Sequence, residues 1–217
     1  GFSRMGPRSL SDPRNALVND LIRLVAELQP SYFVFENVKG LTIGHNRPFL
    51  AEIVSEMASI GYDLITPWQI LNACDYGVPQ NRERLFLIGA KKETPAPSYP
   101  TPQNHQPTCA EALEDLPDAE RFEALKQVGE VLTPLPSPVS HYASLMRCVS
   151  QAGWHYGYRR EWNTALLTNS IRTNHSVKSR DRFAKTTPGK REPVSHFFRL
   201  PPAGICNTLR AGTASAR

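Results

Sequence analysis

An α/β domain running into an irregular, basic region is the fold class this sequence predicts, and three observations predict it. Stretches of helical period and short apolar runs alternate between residues 12 and 90. Composition then shifts to Pro, Ser, Thr and Asn between Thr94 and Pro107. Finally the charge changes sign: residues 1–140 carry 12 Lys/Arg against 17 Asp/Glu, net −5, and residues 141–217 carry 13 against 3, net +10. Alternating helices and strands build a sheet with helices packed on it. A basic region attached to such a scaffold suits a polyanion.

Each element has its own signal. Residues 1–11, rich in Gly, Ser, Arg and Pro, read as a mobile loop. Asp12 is placed as an N-cap and Pro13 at the first helical position. Leu17, Leu21, Leu24, Val25 and Leu28 then form one apolar face, which Pro30 ends. Tyr32–Phe35 is an aromatic and β-branched run of strand length, closed by Glu36. A second helix is predicted from about Pro48 to Ile60, with Leu50, Ile53, Met57 and Ile60 on the core and Gly61 as its stop. Strands are predicted at Trp68–Leu71 and Leu85–Ile88, and a short helix at Ala110–Leu116 with Thr108 as cap. Prolines at 134, 136 and 138 mark a second break. The expected organisation is an α/β portion over 1–93, a linker with a short helix over 94–139, and the basic region over 140–217. The chain begins at Gly1 and stops at Arg217 without a closing element, as a piece of a longer protein would.

Several classes are disfavoured. No apolar run approaches the ~20 residues of a membrane span, and no secretory signal opens the chain. Cys74, Cys109, Cys148 and Cys206 form no CxxC pair, and the six histidines show no ligand spacing. Reduced thiols, a cytoplasmic setting and no metal site are expected.

The chemistry concentrates in two places. Glu36 ends an apolar strand, where an unpaired carboxylate is costly and where open α/β sheets bind ligands. A strand-end Glu meeting an arginine in a purely structural role is the alternative at this point. Downstream, Gly77 and Pro79 set a turn before Gln80-Asn81-Arg82-Glu83-Arg84. The i, i+2 spacing of Arg82 and Arg84 puts both guanidiniums on one strand face, where they repel unless an anion or an acceptor-rich ligand lies between them.

Taken together, these segments resemble the cytosine-C5 DNA methyltransferases. Phe35-Glu36-Asn37-Val38 is similar to that family's ENV motif, and Gln80-Asn81-Arg82-Glu83-Arg84 to its QxRxR motif, preceded by the matching Asn-Ala-x-Asp-Tyr-Gly-Val-Pro run. Asp12-Pro13-Arg14-Asn15-Ala16-Leu17 resembles its DxRxxL segment, and Gly1-Phe2-Ser3 resembles the residues directly after its Pro-Cys-Gln nucleophile motif. Ala110–Pro117, Phe198-Arg199-Leu200 and Thr208–Thr213 resemble stretches leading into or within its target-recognition region.

The resemblance implies part of a Rossmann-like methyltransferase sheet followed by a target-recognition region. It implies transfer of a methyl group from S-adenosylmethionine to C5 of a cytosine flipped out of double-stranded DNA, after a thiolate attacks C6. Glu36 would contact N3 and the exocyclic amine, sharing a proton or staying near-neutral at an apolar strand end. Arg84 would contact O2, Arg82 would support the pocket loops, Asn37 would orient the nucleophile loop and Arg14 would brace the other side. Ser3, Arg4, Gln80, Thr208 and Arg210 would face DNA, and Leu17 would line the cofactor pocket. The nucleophilic Cys, the glycine-rich cofactor turn and the family's last motif are expected outside this chain. The polypeptide alone should therefore be inactive, its partner a missing N-terminal half. The competing expectations are a non-catalytic DNA-binding remnant and a tRNA cytosine-C5 methylase.

Overall fold

The computed structural model describes residues 16–44, 47–149 and 162–209. It divides into two compact units: residues 1–75 with 82–102, and residues 76–81 with 103–217.

The first unit opens with α1 (Ala16–Leu28), followed by β1 (Tyr32–Val38), α2 (Arg47–Ser59), β2 (Tyr62–Leu64) and β3 (Gln69–Asn72), with β5 (Glu83–Lys91) returning through the middle. β5 runs antiparallel to all three partners. β1 lies on one side of it; β3 and β2 share the other, β3 along the start of β5 and β2 along its end.

α2 forms much as its periodicity requires. Leu50, Ile53 and Met57 are buried, and the helix gives way to Gly61 at φ +92, a left-handed conformation that glycine adopts without a Cβ penalty. α1 differs from expectation in its buried face. Val18 and Val25 are buried with Leu21 and Ile22 packed beside them, whereas Leu17, Leu24 and Leu28 are exposed. Apolar residues occur almost all round this helix, so the docking surface selects the stripe. β2 is too short to leave an alternating pattern and is not foreseen. Trp68 lies before β3, and β5 is longer than its apolar run.

The core joins Val18 and Val25 of α1, Leu50, Ile53 and Met57 of α2, Leu41, Tyr62, and one face of the β1–β5 ladder: Phe33, Phe35, Leu85 and Leu87. The Tyr62 hydroxyl donates to the Pro30 carbonyl at 2.6 Å, and its ring meets Phe33 edge-on at 5.5 Å. Gly89 stands opposite Phe33, and a Cβ there would overlap the Phe33 ring. Gly89→Ala is therefore expected to destabilise the β1–β5 pairing by about 1–3 kcal/mol, the usual scale for overpacking. A urea unfolding midpoint unchanged by the substitution would remove that role from the glycine.

The second unit contains β4 (Gln80–Asn81), α3 (Cys109–Leu113), β6 (Val131–Leu132), α4 (His141–Met146), β7 (Leu166–Leu167), α5 (Val177–Lys185) and β8 (Cys206–Asn207). Its strands are two-residue pairs, β4 with β8 and β6 with β7. α3 carries a capping box: the Thr108 hydroxyl accepts from the Glu111 N–H, and the Glu111 carboxylate accepts from the Thr108 N–H. It ends at Leu113, earlier than predicted. Asp115 and Arg147 form a bidentate pair between the segments that follow α3 and α4, with side chains only 1% and 11% exposed, and Trp162 stacks over the guanidinium at 5.8 Å.

Candidate active site

The sheet register assembles the charged cluster of the first unit. Residues paired across an antiparallel ladder share a face and neighbours alternate. Phe33, Phe35, Leu85 and Leu87 point into the core, so Glu36 and Arg84 project from the opposite face. Val38 pairs with Arg84 and Glu36 with Phe86, which sets Glu36 diagonally across from Arg84. Glu36 Oε1 lies 3.0 Å from Arg84 Nε and 4.0 Å from Arg82 Nη2. The anion between the two arginines is thus the Glu36 carboxylate itself.

Supporting contacts fix the arginines. The Arg82 N–H donates to Asn72 Oδ1 at 2.8 Å, and the Arg82 carbonyl accepts from the Ala73 N–H at 3.0 Å. Arg84 also donates to the Glu83 carbonyl at 2.8 Å. Glu83, lying between the arginines in sequence, is paired with Lys39 and so drawn away from them. Lys39 has no signal in the sequence beyond its place just after the ENV-like segment, whereas Asn72 opens the Asn-Ala-x-Asp-Tyr-Gly-Val-Pro run.

The surroundings of Glu36 correct one expectation. Its side chain is 45% exposed and ion-paired, and β1 continues past it to Val38, so the apolar strand end expected at Glu36 is not what this unit provides. Asn37 Oδ1 accepts from the Val38 N–H at 2.8 Å, leaving the amide NH₂ as the group with which it could hold another loop. Leu17 is 68% exposed on α1. Ser3, Arg4, Arg14 and Arg210 lie outside the described residues.

In the second unit, the segments that carry Gln80 and Thr208 lie side by side. β4 and β8 pair in parallel, Gln80 with Cys206 and Asn81 with Asn207, and the Thr208 hydroxyl donates to the Asn81 carbonyl at 2.7 Å. The thiols of Cys74 and Cys109 are poor nucleophiles. Both are buried, and burial above all pushes their titration up; the Asp75 carboxylate adds to this for Cys74.

Chemically, a carboxylate beside fixed guanidinium donors matches a planar ring that presents hydrogen-bond donors next to an acceptor. A nucleobase edge has that pattern. The model of the C-5 cytosine-specific DNA methylase family matches residues 1–190. The chain belongs to that family.

Among the members it resembles is the Type II methyltransferase M.XorII of Xanthomonas oryzae pv. oryzae, 49% identical over 217 residues, which is all of this chain and 51% of that protein. M.DdeI of Desulfomicrobium norvegicum, also a Type II methyltransferase, is 34% identical over 193 residues, 85% of this chain and 42% of its own. The chain therefore spans about half the length of these curated relatives. A solved E. coli structure described as a DNA modification methyltransferase encoded within a prophage superposes with a TM-score of 0.70 at 24% identity, covering 91% of this chain and 58% of the other. That likeness shows the methylase fold. No helix among the described residues is long and apolar enough to cross a membrane.

Proposed function

We propose that this chain provides the base pocket and recognition region of a DNA (cytosine-5-)-methyltransferase acting on duplex DNA, of the modification type its relatives are named for, in the cytoplasm. The observation that carries this reading is Glu36 held between Arg84 and Arg82 on one face of the sheet. Attack on C6 of cytosine places negative charge on the ring, and hydrogen bonds at N3 and O2 stabilise that charge as it forms. Glu36 is assigned to N3 and the exocyclic amine, and Arg84 to O2. When the base enters, Glu36 exchanges part of its ion pair for the exocyclic amine, and a proton drawn from solvent is shared between its carboxylate and N3. Arg82, anchored by Asn72, keeps the pocket wall in place, and Asn37 supports the nucleophile loop.

S-adenosylmethionine supplies the methyl group when bound. Exposed Leu17 offers it an apolar wall, but a leucine makes none of the polar contacts a nucleoside and an amino-acid end require. We assign the main cofactor site and the nucleophilic thiol to a segment outside this chain, and infer that the chain is inactive without it. DNA contacts are assigned to the half-buried Gln80 and Thr208, and to Ser3, Arg4 and Arg210.

The deciding experiment is transfer of labelled methyl groups to duplex DNA or to tRNA. The chain is assayed alone and mixed with a separately produced segment bearing Pro-Cys-Gln and a glycine-rich strand-turn. Label at C5 of cytosine in DNA, only in the mixture, is the expected result. Label in tRNA instead, or transfer by the chain alone, would overturn the proposal.

A further inference from the structure

A densely hydrogen-bonded turn follows α5 in the second unit. Gly189 and Arg199 exchange a backbone hydrogen bond at 2.8 Å, Lys190 and Arg199 another at 2.9 Å, and Arg191 bridges to Phe198. Within this bridge, the Glu192 N–H donates to the Phe197 carbonyl and the His196 N–H to the Glu192 carbonyl, at 2.8 and 2.9 Å. The Glu192 side chain is 1% exposed. It accepts from the Ser195 N–H, from the Ser195 hydroxyl at 2.6 Å and from Arg182 Nε at 2.9 Å. The Ser195 hydroxyl above all, together with the Ser195 and Val194 N–H groups and Arg182 and against the effect of burial, holds this carboxyl down at about 2.

A buried, fully bonded carboxylate is a poor source of net stability, and here it underpins a turn with almost nothing to bury. Pro193, Val194, His196 and Phe197 are all exposed, Val194 at 66%, and His196 is held at φ +59. Phe197 leans on Phe183 of α5 at 5.8 Å and His175 closes the cluster. Arg199 caps the end of α5, donating to the Ala184 carbonyl in its last turn and to the Thr186 carbonyl just past it, both at 2.6 Å. The outcome is shape, which is what reading a rigid ligand edge requires. Between residues 178 and 199 the sequence has seven Lys/Arg and two acidic residues. Lys185 and Lys190 make no ion pair among the described residues.

We propose that the Glu192–Phe197 turn reads base edges in the major groove, with Val194 and His196 as the reading side chains and Glu192 as a positioning residue. An exposed branched apolar group fits a thymine methyl, which only the major groove presents, and an imidazole can donate to or accept from a purine edge. Lys185 and Lys190 contact flanking phosphates, which orient the turn without reading sequence. The proposal rests on the DNA reading above.

The test is selection of bound duplexes from a randomised pool by the whole chain. Wild type is expected to recover a preferred sequence. Val194→Ala and His196→Ala, both surface changes, should each relax preference at one or two adjacent positions by about 5- to 150-fold, leaving the others intact. Lys185→Ala should weaken all sequences alike and lower the salt slope by about 1. Glu192→Gln should blur the same positions as the two turn variants. Unchanged preference in both turn variants, or equal loss on every sequence, would overturn the assignment of the turn while leaving the DNA reading standing. Failure of wild type to bind duplex DNA would overturn that reading, and this one with it.

Discussion

Glu36→Gln, introduced into an assembled enzyme that contains this segment, is expected to lower the methylation rate by about 10²–10³, the usual loss when one group stabilising developing charge is removed. Glutamine keeps the length and one acceptor. It gives up the charge that pairs with Arg84 at 3.0 Å and the capacity to carry a proton to N3. The loss should therefore fall on the chemical step, in kcat, with little change in the affinity for duplex DNA, because phosphate contacts elsewhere dominate binding. Arg84→Ala should show the same pattern, since its guanidinium both holds Glu36 and is assigned to O2. Single-turnover kinetics beside a DNA-binding titration separates the two effects. A Glu36→Gln enzyme that methylates at the wild-type rate would return Glu36 to a structural role.

The second large effect concerns stability. Asp115→Ala is expected to cost about 3–5 kcal/mol, because it leaves the Arg147 guanidinium buried without its counter-charge. Both side chains are nearly inaccessible, and the pair ties the end of α3 to the end of α4. The double change Asp115→Leu with Arg147→Met should recover much of the loss, since an apolar pair of similar volume incurs no desolvation penalty for ions. Urea midpoints of the two single variants and the double provide the check. A loss below about 1 kcal/mol in Asp115→Ala would mean that water or another group compensates the arginine.

How much of the molecule is legible in its sequence depends on how local each signal is. Leu50, Ile53 and Met57 announce α2 because helical spacing and burial coincide, and Thr108 announces its helix because a cap acts within one turn. Glu36 and Arg84 are legible as neighbours through segments with a recognisable chemistry, and the ladder register supplies the physical reason. The stripe of α1 is not legible: valines and leucines surround the helix, and only the docking surface decides between Val18/Val25 and Leu17/Leu24/Leu28. Nor is the pairing of Lys39 with Glu83, which links a loop to a strand 44 residues away. The exposure of Glu36 belongs to the same class, since an apolar flank in sequence does not say which face of the strand is covered.

The two-residue ladder between β4 and β8 also has a consequence for synthesis. Thr208 and Asn81 are 127 positions apart, so the partner that fixes Gln80 is made long after Gln80 itself. Contacts of such long range form late, because the intervening loop must close before any bond repays the lost freedom. During translation, Gln80 and Asn81 must wait for Cys206 and Asn207 to emerge from the ribosome. A message cut short before that point would thus leave a defect more than a hundred residues upstream of the break.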